Sequence, residues 1–342
     1  MFDDDADLPD RTGAAPTVPA EAPAAPAAEA GAARPRGARR RAARTAAALL
    51  IAALVLYYPV GMVLTHRIDD DPDFTFAPET FPESGSRAVA LAAALMEHQV
   101  DDAGWIPNNP FFYASAALDN MPNFQQGLRA SVFRFAIEMT DQIGRTRGSS
   151  QVDPDLDIAS GEFKFPGDVW IWDPGVSLLP QATSEQRYRR AIRHLRAYNQ
   201  RLGAGTATFD SRADNLLATL DRFASDLGSA SAEIDQHIAA YTGLFDLTAD
   251  DLFYNVKGRV YGYYMILTEL GGDFEAVLAE RQLLAAWAQM LASMRTAATL
   301  QPWVVLNGAP DGQLVPNHLA AQGFWLLRGR TQLREITNIL LK

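Results

Sequence analysis

An uncharged run, Thr45–Leu64, limits how this chain can fold more than any other feature of the sequence. Its roughly 20 residues, at about 1.5 Å each, form a helix about 30 Å long, which is the thickness of the hydrocarbon core of a bilayer. Tyr57 and Tyr58 lie near its far end, and aromatic rings favour the membrane interface. The run therefore predicts one transmembrane helix at 45–64.

Two alternatives to a membrane anchor are a buried helix of a soluble protein and a cleaved signal peptide. A signal peptide has a shorter apolar region and a small-residue cleavage site, whereas this run ends in Met62–His66. The charges on its two sides also differ in sign. Arginines precede the run at positions 34, 36, 39, 40, 41 and 44, and aspartates follow it at 69, 70, 71 and 73. The positive-inside rule then predicts a bacterial inner-membrane protein with a cytoplasmic N-terminus and a periplasmic C-terminal domain.

Residues 1–44 are dominated by Ala, Pro, Gly, Asp and Arg and have almost no large apolar side chain. Such a segment cannot bury enough apolar surface to offset its chain entropy, so we expect a disordered cytoplasmic tail. Its acidic and basic residues balance, so the net charge of −11 belongs to the rest of the chain. A net-negative outer domain argues against nucleic acid as a partner. The chain has no Cys, which excludes disulfides and thiolate metal sites.

The remaining sequence predicts a stalk at 65–83 and one mainly helical domain at 84–342. The stalk is rich in Asp and Pro, and its phenylalanines at 74, 76 and 81 should pack along the domain. Apolar residues at helical spacing predict an all-α, multi-helix domain. The predicted helices cover about 86–100, 122–145, 183–203, 216–228, 231–241, 249–270, 277–294 and 316–340. The best strand signals, at Val169–Trp172 and Trp303–Leu306, allow one short hairpin.

Four turn-rich segments carry an unusual density of polar and aromatic residues: Trp105–Gln126, Asp141–Asp157, Pro166–Pro180 and Asn307–His318. Ordinary turn and cap chemistry is one explanation. Our functional hypothesis is that these segments meet on one surface and bind a ligand or partner. The candidate binding residues are Asp119, Asn123, Arg145, Arg147, Trp170, Trp172, Asp173, Asn317 and His318.

These residue types suit a glycan ligand. Trp170 and Trp172 alternate as in a strand, so both could stack on a sugar ring. Arg145 and Arg147 could hold an anionic group by bidentate hydrogen bonds. Asp119 and Asp173 could act as the paired carboxylates of a glycan hydrolase. The spacing along the chain does not fix how far apart these carboxylates lie.

No motif in the sequence specifies a reaction. The five His residues, at 66, 98, 194, 237 and 318, are scattered, with no HExxH pattern. There is no GxSxG elbow, Walker loop or dinucleotide fingerprint, so we expect neither a metal nor another cofactor. We favour a non-enzymatic envelope scaffold or partner-binding protein. The alternative is a membrane-tethered periplasmic enzyme or ligand-binding domain that acts on a cell-wall glycan.

Four stretches of the chain resemble a family of uncharacterised bacterial membrane proteins, domain of unknown function family 2333. The stretches are ALDNMPNFQQG (117–127), TDQIGRTRGSSQVDPDLD (140–157), DNLLATLDR (214–222) and QPWVVLNGAPDGQLVPNHLAAQGF (301–324). The resemblance runs from about Tyr57 to Lys342. It implies membrane anchoring and no established activity, so it assigns no catalytic residue.

Overall fold

A computed structural model of the chain describes residues 36–76, 84–145, 152–175, 177, 179–240, 246–309 and 312–342. Those residues form ten α-helices and no strand. In chain order the helices are α1 (Arg36–Thr65), α2 (Arg87–Glu97), α3 (Asn120–Glu138), α4 (Pro154–Phe163), α5 (Ser184–Gly203), α6 (Ala213–Ala240), α7 (Ala249–Asp273), α8 (Glu275–Glu280), α9 (Leu284–Ala298) and α10 (His318–Leu340). The predicted all-α fold is confirmed.

Helix α1 contains the predicted span. Its Arg40–Thr65 part is long and apolar enough to cross a membrane, and its apolar stretch is not buried against other parts of the chain. The helix begins at Arg36, inside the segment predicted as tail, because Ala and Arg are strong helix formers and extend it. The rest of the predicted tail, residues 1–35, lies outside the described residues. The chain divides into two compact units, one ending at Ala53 and one comprising Leu54–Lys342.

Helices α3 and α7 form the centre of the larger unit and run parallel to each other. Their backbones come close because glycines occupy the contact: a Cβ on Gly258 would lie 2.0 Å from the carbonyl oxygen of Phe124. A Cβ on Gly127 would lie 2.0 Å from the carbonyl oxygen of Asn255, and one on Gly262 would strike the Ser131 hydroxyl. Both helices therefore begin at the same end of the domain.

The segment that follows α1 packs along this central pair. The Arg67 amide contacts the Met121 sulfur near the start of α3. The Asp70 carboxylate lies 2.6 Å from the Lys257 ammonium in α7, and farther along α7 the Tyr261 hydroxyl donates to the Asp71 carbonyl. Partly buried Phe74 and Phe76 also contact the core, as predicted for the stalk. Residues 77–83, including the third predicted phenylalanine, lie outside the described residues.

The starts of α3, α7 and α10, with their connecting loops, therefore share one end of the domain with the last turns of α1. We call this the α1 end. Asn123 in α3 donates to the Asp251 carboxylate in α7 at 2.7 Å. Asn307 donates to the Asp246 carboxylate just before α7, and Asn317 at the start of α10 donates to Asn307.

Helix α5 confirms its predicted start. Thr183 and Gln186 form a capping box, and the helix ends at Gly203. The arginines of α5 are paired with carboxylates of neighbouring segments. The pairs are Arg187 and Arg190 with Glu162, Arg189 with Asp101, Arg196 with Glu97, and Arg201 with Asp153 and Asp155. The basic helix therefore faces the domain's own acidic groups.

Two helices continue past their predicted ends at 228 and 270, so three glycines at or directly after those positions lie inside the helices. Helix α6 continues past Gly228, which meets the guanidinium of Arg330, and α7 continues past Gly271 and Gly272. Gly271 lies against the indole of Trp287. At each position the lack of a side chain makes room for a neighbouring group. Sequence alone does not distinguish such a packing glycine from one that ends a helix. The helix predicted at 277–294 is broken between α8 and α9, where Gln282 adopts a φ of 56°.

Neither strand signal forms a strand. The amide of Ser184, the first residue of α5, donates to the Val169 carbonyl, and the Gln181 amide donates to the Ile171 carbonyl. In the second segment, Leu306 pairs with His318. These apolar runs lack a neighbouring strand, so their alternation reflects loop side chains and not a ladder. Trp170 and Trp172 therefore do not lie in a strand.

We predict that Gly258→Ala lowers the free energy of unfolding by about 1–3 kcal/mol or more, because the added methyl group overlaps the backbone of α3. Gly161→Ala is the matched control: at this helical glycine of α4, no atom lies within 4 Å of the position that a Cβ would take. There the substitution should raise stability by about 0.5–1 kcal/mol through helix propensity. Urea unfolding of the detergent-solubilised proteins measures both. Equal effects at the two sites would contradict the proposed close packing.

Candidate functional site

A cleft of about 570 Å³ lies between two connections at the α1 end, the one before α3 and the one between α4 and α5. Its polar and aromatic lining includes Asn108, Asn109, Asp168, Trp170, Trp172 and Asp173. The cleft thus brings together three of the sequence-predicted candidates, Trp170, Trp172 and Asp173. Its volume is within the range of roughly 300–1,000 Å³ typical of small-molecule sites.

Hydrogen bonds to backbone carbonyls hold the walls of the cleft together. The Trp105 indole donates to the Gly167 carbonyl at 2.7 Å, and the Ser184 hydroxyl donates to the Pro166 carbonyl at 2.8 Å. The Tyr188 hydroxyl donates to the Phe165 carbonyl, and its ring packs edge-on against Trp105. Both loops are therefore fixed to the start of α5, so the cleft is preformed.

Asn108 is the buried polar residue of the cleft, with only 4% of its surface exposed. Its amide nitrogen donates to the Val169 carbonyl at 2.9 Å and to the Glu185 carboxylate at 2.7 Å. Both partners are acceptors, so the orientation of the amide is settled. The Asn108 Oδ1 atom has no hydrogen-bond partner among the described residues. The atom is itself buried, so it belongs to the wall of the cleft and not to its accessible surface.

The aromatic side chains of the cleft differ in exposure. Trp170 is half-buried and packs edge-on against Phe112 at 5.5 Å between ring centroids, while Trp172 is 51% exposed. The Asp173 side chain is exposed, and its carboxylate accepts from the Gly175 amide at 2.9 Å in a turn. The site can stack a flat apolar face and hydrogen-bond polar edges.

Asp119 and Asn123 lie at the start of α3, and neither is among the residues that line the cleft. The exposed Asp119 carboxylate caps α3 by accepting from the Asn120 amide. Nearby, burial raises the pKa of the Asp250 and Asp251 carboxyls, and neighbouring carboxylates, including that of Asp119, raise it further. The structure therefore does not place Asp119 opposite Asp173 in the cleft.

The side chains of Asn317 and His318 form structural hydrogen bonds at the start of α10. The Asn317 side chain accepts from the Ala320 amide and donates to the Gly308 carbonyl. The His318 Nδ1 atom accepts from the Leu306 amide at 2.9 Å, and burial lowers the pKa of the imidazole. Both side chains act as structural ties between the last loop and the helix.

The described residues of the predicted Asp141–Asp157 segment, 141–145 and 152–157, lie near the ends of α3 and α5, away from the α1 end. Helix α3 closes in a π-helical turn, Met139–Ile143. Arg145 after it is half-buried, and its Nε atom has no partner among the described residues. Arg147 lies outside the described residues. The described parts of three of the four turn-rich segments thus share one end of the domain, and those of the fourth do not.

Sequence reasoning did not single out Asn108 within the first turn-rich segment, or Asp168 and Gln181 of the cleft. Sequence reasoning also did not identify Glu138 of α3 as a buried residue. Glu138 is buried, with its carboxylate 4.0 Å from Arg134, and burial raises the pKa of Glu138 to about 7. The sequence signal was the position of Glu138 three residues after Phe135 on the apolar stripe of α3, where one helical turn brings both to one face.

The described residues contain no group of three His, Asp or Glu side chains placed to hold a metal ion. A second cleft, of about 440 Å³, lies beside the start of α2. The Asp273 carboxylate there is buried, which raises its pKa. It accepts from the Ser86 hydroxyl and from the Arg87 and Ala88 amides, so it serves as a cap for α2.

Fold and cleft together define a class: an all-α domain that follows one helix long and apolar enough to cross a membrane. Within that class, the chain belongs to the family described as an uncharacterized protein conserved in bacteria (DUF2333), whose model matches residues 78–243 and 246–342. This confirms the resemblance, although the match begins at residue 78 and not near Tyr57. No curated protein and no solved structure matches the chain.

We predict that acid weakens the loop held by His318. In the folded protein the imidazole must stay neutral to accept from the Leu306 amide, and burial lowers its pKa below the usual 6.5. The unfolded chain therefore binds more protons as the pH falls through about 6.5, so stability decreases. His318→Asn retains an acceptor that does not titrate. Urea unfolding at about pH 7 and about pH 5 should show roughly 1 kcal/mol more loss for the wild type. Parallel losses in the two proteins would contradict this assignment.

Proposed function

We propose that this chain is a single-pass protein of the bacterial inner membrane, with its N-terminus in the cytoplasm and its helical domain in the periplasm. The observation that carries the proposal is α1, whose apolar stretch is not buried against the domain. Arginines at 40, 41 and 44 lie at the start of the apolar stretch. The aspartates at its other end are bound by the domain, Asp70 by Lys257 and Asp73 by Arg295. The asymmetry of basic residues supports the stated orientation.

We further propose that the domain acts by binding, as an envelope scaffold or partner-binding protein, and not by catalysis. Many of its polar side chains have structural partners. Arg201 is held by Asp153 and Asp155, and His194 by Asp155. The carboxylates offered as a catalytic pair separate into a helix cap, Asp119, and a turn residue of the cleft, Asp173. These contacts within the domain support a rigid, preformed binding surface.

The topology is testable with reporter fusions. Alkaline phosphatase fused after Lys342 should be active and a fluorescent protein fused there should be dark, because only the former matures in the periplasm. As the control, the same reporters fused directly after Arg44, ahead of the apolar run, should give the opposite pattern. An active fluorescent protein after Lys342 would reverse the proposed orientation.

A second candidate function, glycan binding, is favoured by the cleft. Trp172 offers an exposed aromatic face, and the exposed Asp168 and Asp173 side chains in the same lining offer acceptors to hydroxyl groups. Sugars present both an apolar ring face and hydroxyl groups, so this combination suits a saccharide of the cell wall. Such a site would make the protein a membrane-tethered ligand-binding domain.

We predict that Trp172→Ala weakens binding of a soluble peptidoglycan-derived tetrasaccharide roughly 10-fold, from the loss of about 1 kcal/mol or more of stacking. Trp303→Ala is the matched control, because Trp303 is fully exposed and does not line the cleft. Calorimetry measures the affinities, and mass spectrometry of the recovered saccharide tests for cleavage. An intact saccharide agrees with binding alone, and a cleaved one would support the hydrolase alternative. Equal losses in both variants would contradict a specific role for Trp172.

A further inference from the structure

The last turns of α1 are bonded directly to the loop before α3. The Tyr57 hydroxyl donates to the Phe112 carbonyl at 2.8 Å, and the Tyr58 hydroxyl donates to the Phe111 carbonyl. One turn later the backbone of α1 touches the same loop, since a Cβ on Gly61 would overlap that of Ala114. The position of this loop is therefore tied to the apolar helix itself.

The loop lies beside the apolar run and not beyond its end. Tyr57 precedes Leu64, the last residue of the uncharged run, by seven positions. At 1.5 Å per residue, the contact lies about 10 Å before the end of that run. Amphipathic segments at a membrane surface are buried to a depth of about 5–10 Å. If α1 crosses a bilayer, the loop is held at the level of its interface.

The side chains of the loop suit that position. Phe111 is 80% exposed, Phe112 48% and Tyr113 46%, and the segment 103–118 contains no charged residue. Phe112 packs against Trp170, which leads directly into exposed Ile171 and Trp172. Aromatic residues of this kind are enriched where a protein meets the headgroup layer. Contiguous exposed apolar surface is uncommon on soluble proteins.

Several backbone polar groups of the loop have partners within the protein. Lipid offers no hydrogen bonds to irregular backbone, so its polar groups need partners within the protein. The carbonyls of Phe111 and Phe112 receive theirs from the anchor tyrosines. The Tyr113 amide donates to the Pro110 carbonyl at 2.9 Å, and the Ala116 amide to the Tyr113 carbonyl at 3.0 Å.

We propose that Phe111–Tyr113, together with Ile171 and Trp172, forms a membrane-contact surface embedded in the interfacial layer of the leaflet from which α1 emerges. This inference rests on the proposed membrane anchoring. It adds that the domain has a fixed orientation, in which it lies against the bilayer. The occupant of the surface is lipid. The nearby starts of α3 and α7 carry the acidic side chains of Asp119, Asp250 and Asp251, which do not attract anionic lipid. The contact therefore depends on apolar side chains and not on charge.

The absence of Cys from the chain allows a direct test with single labels. Phe111→Cys and Trp172→Cys place an environment-sensitive fluorophore on the surface. Leu54→Cys labels the anchor, and Ala279→Cys labels exposed α8, which follows the opposite end of α7. The full-length variants are reconstituted in phosphatidylcholine vesicles. Quenching by doxyl-labelled lipid is then compared with quenching by aqueous iodide.

We expect the labels at 111, 172 and 54 to lose most of their fluorescence to doxyl lipid and little to iodide, and the label at 279 to show the reverse. The same pattern is expected with anionic lipid added and at high salt, because the contact does not depend on charge. Unchanged thermal unfolding of each labelled protein shows that it is folded.

Failure of the inference and failure of the anchoring give different results. A label at 54 that lipid quenches, combined with labels at 111 and 172 that only iodide quenches, overturns the membrane contact and leaves the anchor intact. Labels at 111 and 172 shielded from both quenchers also overturn it, and indicate that protein, such as a second copy of the chain, covers the surface. A label at 54 that lipid does not quench overturns the anchoring and the contact together.

Discussion

The buried ion pair between Asp70 and Lys257 determines how the chain that leaves the apolar helix is held by the domain. Lys257 is 1% exposed, and its ammonium also donates to the Leu300 carbonyl, while Gln301 donates to both oxygens of Asp70. Burial lowers the pKa of Lys257, although Asp70 favours its charged form. A charge removed from water needs such partners, because an uncompensated one destabilises the fold strongly. The pair thus fixes the segment after α1 against α7 and the loop after α9.

Helix α7, which carries Lys257, is itself packed closely against α3. Gly127, Gly258 and Gly262 let the two backbones approach, and the parallel direction puts both helix starts at one end. The loops that precede those starts are then neighbours in space, although they are far apart in sequence. The cleft and the aromatic loop at Phe111–Tyr113 both lie at that end as a consequence. Under the proposed membrane contact, the cleft would open close to the headgroup layer, within reach of ligands presented at the membrane surface.

Polar residues at this end serve two purposes that look alike in the sequence. Asp119 and Asn317 cap helices, and His318 holds a loop carbonyl and amide in place. Asn108 lies in the same kind of polar, turn-rich segment, yet its amide nitrogen joins two loops in the wall of the cleft. The difference between a helix cap and a group in the cleft wall lies in which atoms the side chain contacts. That property belongs to the folded packing and not to the residue type.

The sequence by itself determined the apolar helix, the all-α class, the capping box of α5 and the family, because these depend on local composition, 3.6-residue periodicity or short motifs. It also located Trp170, Trp172 and Asp173 of the cleft, through the density of aromatic and polar residues in one connection. Only the tertiary structure decided that Gly228 and Gly271 are packing positions, that Glu138 is buried, and that Asp119 and Asp173 do not share the cleft lining. Each of these depends on which distant segment arrives opposite a residue, and local periodicity carries no information about that partner.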